Sequence, residues 1–488
     1  MTVNFHSLIR MMGIMLLVLA GSLVPSSVVA IIYDEMIPFR SFLITMAFCL
    51  LTGFILIKKF GPSKKHFRAR DGFIIVTMCW LLASLVGAVP MTISGAIPSY
   101  IDSFFETCSG FSTTGSTILT DIESLPKSIL FWRSFTHWMG GMGIIVLATA
   151  LLPSIGLEGQ LIASAETPGP TLDKLTPKYS DTARNLYLVY IFISVVETVL
   201  LLFGGMNLYD ALVHTFGTVG TGGFSSYGDS IAHFTSPYIQ WVITIFMLLC
   251  GINFNLYFVL GKKGIKSFFK DEELRLYLII IGGVTFLIFA DLMFSGIYHH
   301  AGEGLRASAF QVTSIITTTG YATADYDLWP TFSKMMLMIV FFTGACSSST
   351  GGGIKIIRVL VAVKLIKRTI SLKLHPHRVV TINVNHKEVP QEVTTNIANF
   401  IFFYIFVIFA GSIVISFNGF DIMTTISSVL TCLGNIGPGF NLVGPTMNFA
   451  CYSGFSKIVL ALLMIAGRLE LFTFFMLFSP HYWNANKA

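Results

Sequence analysis

Ten stretches of mostly apolar residues mark the chain, near 8–32, 40–60, 72–97, 132–153, 184–206, 237–261, 274–298, 333–369, 394–417 and 456–478. Each has roughly the 20 residues that an α-helix needs to cross the hydrocarbon core of a bilayer. The stretch 333–369 is too long, and too polar in its middle, to be one plain helix. From the third stretch onward they fall into four pairs, and within each pair lies a shorter amphipathic piece, near 101–111, 208–218, 305–316 and 420–433. At about 1.5 Å per residue such a piece reaches only about halfway through the hydrocarbon. Whatever follows it must be buried in protein or line water, because lipid satisfies no backbone hydrogen bond. The unit recurs about every 100 residues, far beyond solenoid periods, so the repeat is of domain scale. The pattern predicts an all-α polytopic membrane protein with four helix–pore-helix–helix repeats around one pseudo-fourfold pore, preceded by an extra helix pair. The predicted divisions are 1–70 for the leading pair, then 71–155, 184–263 and 274–369 for three repeats, 370–393 for a linker and 394–488 for the fourth repeat. Each repeat holds an even number of spans, so the four run parallel rather than inverted.

Directly after the short pieces, four tetrapeptides align without a gap: Ser112-Thr113-Thr114-Gly115, Gly220-Thr221-Gly222-Gly223, Thr317-Thr318-Thr319-Gly320 and Gly434-Asn435-Ile436-Gly437. Small hydroxyl residues followed by glycine suit a cation filter. Its backbone carbonyls must turn inward to replace an ion's hydration shell, and glycine tolerates the dihedrals this needs. A half-helix would also aim the partial negative charge of its carboxyl end at the pore centre. The plainer alternative is a set of polar external loops with incidental glycines. Past the filters stand Asp121, Asp229, Asp325 and Asp327, which would concentrate cations at a mouth or else be ordinary loop acids.

The eighth stretch contains Gly344-Ala345-Cys346-Ser347-Ser348-Ser349-Thr350-Gly351-Gly352-Gly353. Each glycine costs a helix roughly 1 kcal/mol, so the helix is expected to break there, just beneath the filters. A small-residue packing face is the alternative, although such motifs space their small residues a turn apart. Arg468 falls near mid-depth of the last span, where an arginine costs at least ~2.5 kcal/mol unless paired or hydrated. Glu470, two positions on, points elsewhere on a helix and is no obvious partner. An acid on another helix remains an alternative partner.

Composition narrows the class. The 488 residues are 54% hydrophobic and 11% charged, against about 25% charged in a soluble domain. The net charge of +6 reflects basic loops, not nucleic-acid binding: Lys58, Lys59, Lys64, Lys65, Arg68 and Arg70 follow the second span, Lys262, Lys263, Lys266 and Lys270 the sixth, and Lys364, Lys367, Arg368, Lys373 and Arg378 the eighth. Loops 225–238, 321–333 and 438–456 have neither lysine nor arginine. The basic loops and both termini are therefore expected on the cytoplasmic side. The seven scattered cysteines read as small core residues. No phosphate-cradling motif, metal-ligand spacing or catalytic triad stands out, so neither an enzyme nor a nucleotide or metal cofactor is expected in this chain. Between 371 and 393, Val380, Ile382 and Val384 alternate with Thr381, Asn383 and Asn385, the period of a short strand or hairpin below the membrane.

Four repeats with a glycine at Gly115, Gly223, Gly320 and Gly437 resemble the superfamily of K+ transporters that includes the Trk, Ktr and HKT proteins. The leading helix pair and the length resemble its bacterial TrkH branch most closely. The resemblance implies a bacterial inner-membrane protein that translocates K+ (and Rb+), with the four tetrapeptides as K+-binding filter. It implies that residues 344–353 form an intramembrane gate loop and that Arg468 lies against it as a positive barrier. It also implies a homodimer and a cytosolic ring of nucleotide-binding subunits of the TrkA type as partner. In this family a serine in place of the filter glycine of the first repeat accompanies Na+ permeability, so Gly115 points to K+. Proton-coupled symport and Na+-permeable transport stay open alternatives.

Overall fold

A computed structural model describes residues 5–61, 69–143 and 179–479. Helices α1 (Phe5–Ile32) and α2 (Met36–Lys59) form the leading antiparallel pair. Glu35 in their turn accepts from the N–H groups of Lys127 at 2.6 Å and Ser128 at 2.9 Å, which ties the pair to the first repeat. That repeat comprises α3 (Ala69–Ile93), half-helix α4 (Tyr100–Phe111) and α5 (Lys127–Gly141). The second comprises α6 (Tyr179–Phe203), half-helix α7 (Leu208–Val219), α8 (Pro237–Cys250) and α9 (Phe254–Lys263). The third has α10 (Glu272–Phe294), half-helix α11 (Ala301–Ile316), α12 (Thr331–Phe341) and α13 (Ile356–Leu374). The fourth has α14 (Gln391–Ile415), half-helix α15 (Ile422–Gly434) and α16 (Gly454–Arg468).

Three of the four half-helices start where a side chain satisfies an orphan N–H group. Ser99, Asn207 and Asp421 accept from Asp102, Asp210 and Thr424 respectively. Among the described residues, six helices are long and apolar enough to cross a membrane, or eight if two bent pairs each count as one span. Their outward faces carry exposed Phe192, Phe294, Phe402 and Ile413, as expected of lipid-facing surface in a multi-pass membrane protein. Six of the seven cysteines are buried and Cys451 is exposed, all as free thiols.

The second helices depart most from the sequence expectation, which placed a break only in the eighth span. Three of them are interrupted: α8 and α9 meet at 88°, α12 and α13 flank the glycine-rich run, and α16 meets the helical turn Phe472–Phe478 at 118°. The bend at Gly251–Asn253 is fixed by Asn253, whose side chain caps α9. The bend after Arg468 is fixed by Glu470 and Leu471, both at positive φ (+59° and +55°). Neither site has the density of glycines that marks 344–353. The end of the fourth expected span, 144–153, and Lys64, Lys65 and Arg68 lie outside the described residues.

The alternating segment folds as an antiparallel hairpin, β1 (Asn383–Val384) on β2 (Lys387–Glu388). Ile382 and Val384 turn inward onto Ile357 and Val361 of α13 and Ile397 of α14, while Thr381, Asn383 and Asn385 face out.

Candidate functional site

All four tetrapeptides share one backbone conformation. The second residue of each has positive φ (Thr113 +57°, Thr221 +54°, Thr318 +57°, Asn435 +55°), and so does the fourth (Gly115 +84°, Gly223 +76°, Gly320 +82°, Gly437 +103°). The cause lies in how each half-helix ends. The second residue's N–H bonds three residues back, and the third's bonds five back: Thr114 to Ser109 O, Gly222 to Gly217 O, Thr319 to Ser314 O and Ile436 to Thr431 O, at 2.8–2.9 Å. This is the left-handed helix stop usually built on glycine. Threonine there is strained, which a protein tolerates where the conformation itself is needed.

The fourth-position glycines close a ring. A Cβ on Gly115 would lie 2.0 Å from Gly222 O, one on Gly223 2.0 Å from Thr319 O, one on Gly320 2.2 Å from Ile436 O, and one on Gly437 2.8 Å from Thr114 O. Each repeat's third carbonyl thus packs against the glycine of the preceding repeat, and the fourth repeat meets the first. Among the described residues no donor hydrogen-bonds to the carbonyls of Thr114, Gly222, Thr319 or Ile436, although all four residues are buried. Four buried acceptors without donors, arranged in a ring, are electrostatically suited to a cation. The second repeat has Gly222 where two others have threonine, because a Cβ there would lie 2.3 Å from the His137 ring. In the fourth, Asn435 Nδ2 reaches Thr114 Oγ1 and Met464 O, both at 2.9 Å. The backbone ring is therefore fourfold in conformation while its side chains are not.

An open cavity lies on the side of the loops that lack lysine and arginine, and Gly115, Gly223, Gly320 and Gly437 all line it. Arg133 lines it too and pairs with Glu106, both buried. Glu106 also accepts from Thr117 Oγ1 at 2.9 Å and Ile118 N at 3.1 Å, and Arg133 donates to Ser225 O at 3.0 Å. This pair joins the segments that leave the first and second tetrapeptides. Asp121 and Asp229 sit in exposed loops, whereas Asp327 accepts from Asn441 N at 2.9 Å and links the third and fourth repeats. Partial burial, with Asp325 adding to it against the Asn441 N–H, pushes the Asp327 carboxyl up to about 6.

On the opposite side of the ring runs the segment Gly344–Gly353. It is non-helical and pinches shut through a parallel bridge between Thr343 and Ile354, with Gly344 N bonded to Ile354 O at 2.8 Å. Cys346 N donates to Gly251 O, and Ser348 O accepts from Phe254 N, so the break between α8 and α9 receives one end of the segment. Gly352 N donates to Thr318 Oγ1 at 2.7 Å, and a Cβ on Gly352 would lie 2.5 Å from Gly434 O. The segment thus lies against the bases of the third and fourth tetrapeptides. Ala345, Cys346, Ser349, Thr350 and Gly351 are buried within it.

Arg468 comes to this segment from α16. Its guanidinium donates to Thr350 O, Gly140 O and Gly141 O, each at 2.6 Å. Carbonyl dipoles from the loop and from the end of α5 thus hydrate it in place of water. Glu470, which has no obvious partner in sequence, pairs with Arg358 of α13. Sequence reasoning also missed Lys355, whose ammonium donates to Gly351 O, and Glu273, which holds Ser347. A glutamate at a helix start ordinarily signals only favourable dipole placement, so Glu273 gave no sign of a tertiary role.

Comparison with known proteins agrees with this fold. A sequence model of TrkH, a cation transport protein, matches residues 39–485. The Trk system potassium uptake protein TrkH of Salmonella typhimurium is 36% identical over 483 residues, covering 98% of this chain and 99% of that protein. The Trk system potassium uptake protein TrkG of Escherichia coli is 36% identical over 481 residues, covering 98% of each. The crystal structure of the potassium transporter TrkH from Vibrio parahaemolyticus matches with a TM-score of 0.88 at 32% identity, over 99% of this chain and 100% of that one. The chain belongs to the TrkH family of cation transport proteins.

Proposed function

We propose that this chain carries K+, and its congener Rb+, into a bacterial cell through the ring formed by the four tetrapeptides. The observation that carries the reading is the set of four buried, donor-free carbonyls at Thr114, Gly222, Thr319 and Ile436. A dehydrated cation supplies the partner that such oxygens otherwise lack. The names of the relatives, potassium uptake proteins and a potassium transporter, support the same cargo. The segment 344–353 acts as a gate beneath the ring, and Arg468 adds a positive barrier there. Control comes from a cytosolic nucleotide-binding ring of the TrkA type, which engages the basic face of a homodimer in the inner membrane. Both termini lie in the cytoplasm, on the side of the basic loops.

Rb+ and Na+ uptake into proteoliposomes tests the filter. Gly223→Ser and Gly320→Ser each put a Cβ within 2.0–2.2 Å of a ring carbonyl, so Rb+ over Na+ preference should fall. Unchanged preference in both variants would remove the assignment. Proton-coupled symport is the second reading, favoured by Glu197 of α6, a carboxyl fully buried within a helix long and apolar enough to cross a membrane. A K+ reversal potential that shifts with an imposed pH gradient, and loses that shift in Glu197→Gln, would select symport over a channel.

A further inference from the structure

Glu273, the second residue of α10, is a buried carboxylate. Its Oε1 accepts from Ser347 N at 2.6 Å and from Ile357 N at 3.1 Å, and its Oε2 accepts from Ser347 Oγ at 2.7 Å. Ser347 lies in the intramembrane loop and Ile357 in the first turn of α13, so one carboxylate ties the loop to the helix that follows it. The first turn of α13 has no capping side chain of its own, since its cap residue is Lys355. Glu273 supplies that cap from another helix, where a carboxylate also complements the helix dipole.

The two preceding acids hold something else. Glu272 Oε1 accepts from Asn385 N at 2.9 Å, Asp271 Oδ2 accepts from Asn385 Nδ2 at 2.7 Å, and Glu272 N donates to Asn385 Oδ1 at 2.9 Å. Glu272 also pairs with Lys364, whose ammonium donates to Asn383 O at 2.6 Å. Asn385 sits at the hairpin tip with φ of +50°. The hairpin's apolar face, Ile382 and Val384, rests on Ile357, the residue whose N–H Glu273 holds. Three consecutive residues at one helix start thus grip the hairpin on one side and the loop on the other.

We propose that Glu273 is the latch of the intramembrane loop, and that Asp271 and Glu272 make the hairpin at 383–388 its handle. This rests on reading the loop as a gate. A regulatory partner that shifts the hairpin then draws on α10 and α13 together, and the carboxylate loses Ser347 or Ile357. No ion contacts Glu273 in this role; it is a positioning residue for the gate.

A double-mutant cycle on the full chain in proteoliposomes tests the proposal, with Rb+ flux and Rb+ over Na+ preference as readouts. Glu273→Gln keeps the shape but turns an accepting oxygen into a donor that faces N–H groups. Partner-free Rb+ flux should rise about tenfold, the factor corresponding to ~1.4 kcal/mol, with preference unchanged. Asn385→Gly keeps the left-handed backbone and removes the side chain that binds Asp271; it should raise flux by less. Combined with Glu273→Gln it should add nothing, because the handle acts through the latch. Additive effects would overturn the relay. If Glu273→Gln does not fold as a monodisperse chain, Ser347→Ala removes the Oγ partner and carries the same comparison. Deleting 346–351 serves as the control for the gate. If that deletion raises flux while Glu273→Gln and Ser347→Ala stay at the wild-type level, the latch is wrong and the gate stands. If the deletion leaves flux unchanged, the gate fails and the latch with it.

Discussion

Gly437 has more room than its three counterparts, since its added Cβ would stand 2.8 Å from the facing carbonyl, against 2.0–2.2 Å at Gly115, Gly223 and Gly320. Alanine at Gly437 is therefore expected to blunt Rb+ over Na+ preference least of the four, as measured by competitive uptake. An equal loss at all four positions would mean that backbone strain, not crowding of the ring, sets the effect. The Arg133–Glu106 pair makes a second residue-scale prediction. Removing one partner of a buried pair costs about 3–5 kcal/mol, so Glu106→Gln should lower thermal stability in detergent clearly. Glutamine keeps only one of the two accepting oxygens, so either Thr117 Oγ1 or Ile118 N loses its acceptor, and preference should weaken too. Asp327 gives a pH dependence. With its carboxyl raised to about 6, it is ionised at neutral pH and neutral well below that value. The mouth loses negative charge as pH falls, and low-salt Rb+ uptake should fall with a midpoint near the same value. Asp327→Asn should show the lower uptake at every pH, and added salt should shrink the difference.

At the scale of elements, the broken second helices matter most. The interruption at 251–253 forms the socket for the loop, and the turn at Glu470–Leu471 directs Glu470 toward Arg358 while Arg468 reaches Thr350. Arg468→Ala removes three charge-assisted contacts to carbonyls together with the positive charge beneath the ring. Partner-free Rb+ flux should increase while ion preference stays near wild type, because the tetrapeptides are untouched. Preference lost without a gain in flux would instead make Arg468 a support of the ring. The four half-helices were legible as elements because their amphipathic lengths fell short of a span. The two other breaks were not, because one asparagine cap and two left-handed residues leave little compositional trace.

For the whole molecule, four parallel units around one axis give a ring whose order, first to second to third to fourth and back, is set by glycine–carbonyl contacts. The proposed partner makes a prediction at this scale. Purified chain alone should bind neither ATP nor NADH in equilibrium dialysis, and nucleotide should alter Rb+ flux only after the soluble ring is added. Direct binding to the isolated chain would place regulation in the transporter itself.

Hydrophobic periodicity together with glycine content determined the all-α membrane fold, the four repeats, and the positions of the four tetrapeptides and of the glycine-rich break, because these depend on local length and polarity. The alternating residues 380–385 likewise announced a strand with a buried face, since a period of two needs no tertiary information. Tertiary structure alone decided which carbonyls face which glycines, why Gly222 cannot be threonine, and that Arg468 is held by carbonyls from two repeats. It also decided that Glu470 serves Arg358 and that Glu273 ties the loop at Ser347 to the first turn of α13. The partners in those contacts lie between 74 and 328 positions apart. Pairing over such distances is fixed by how helices pack, and no local pattern in the sequence encodes it.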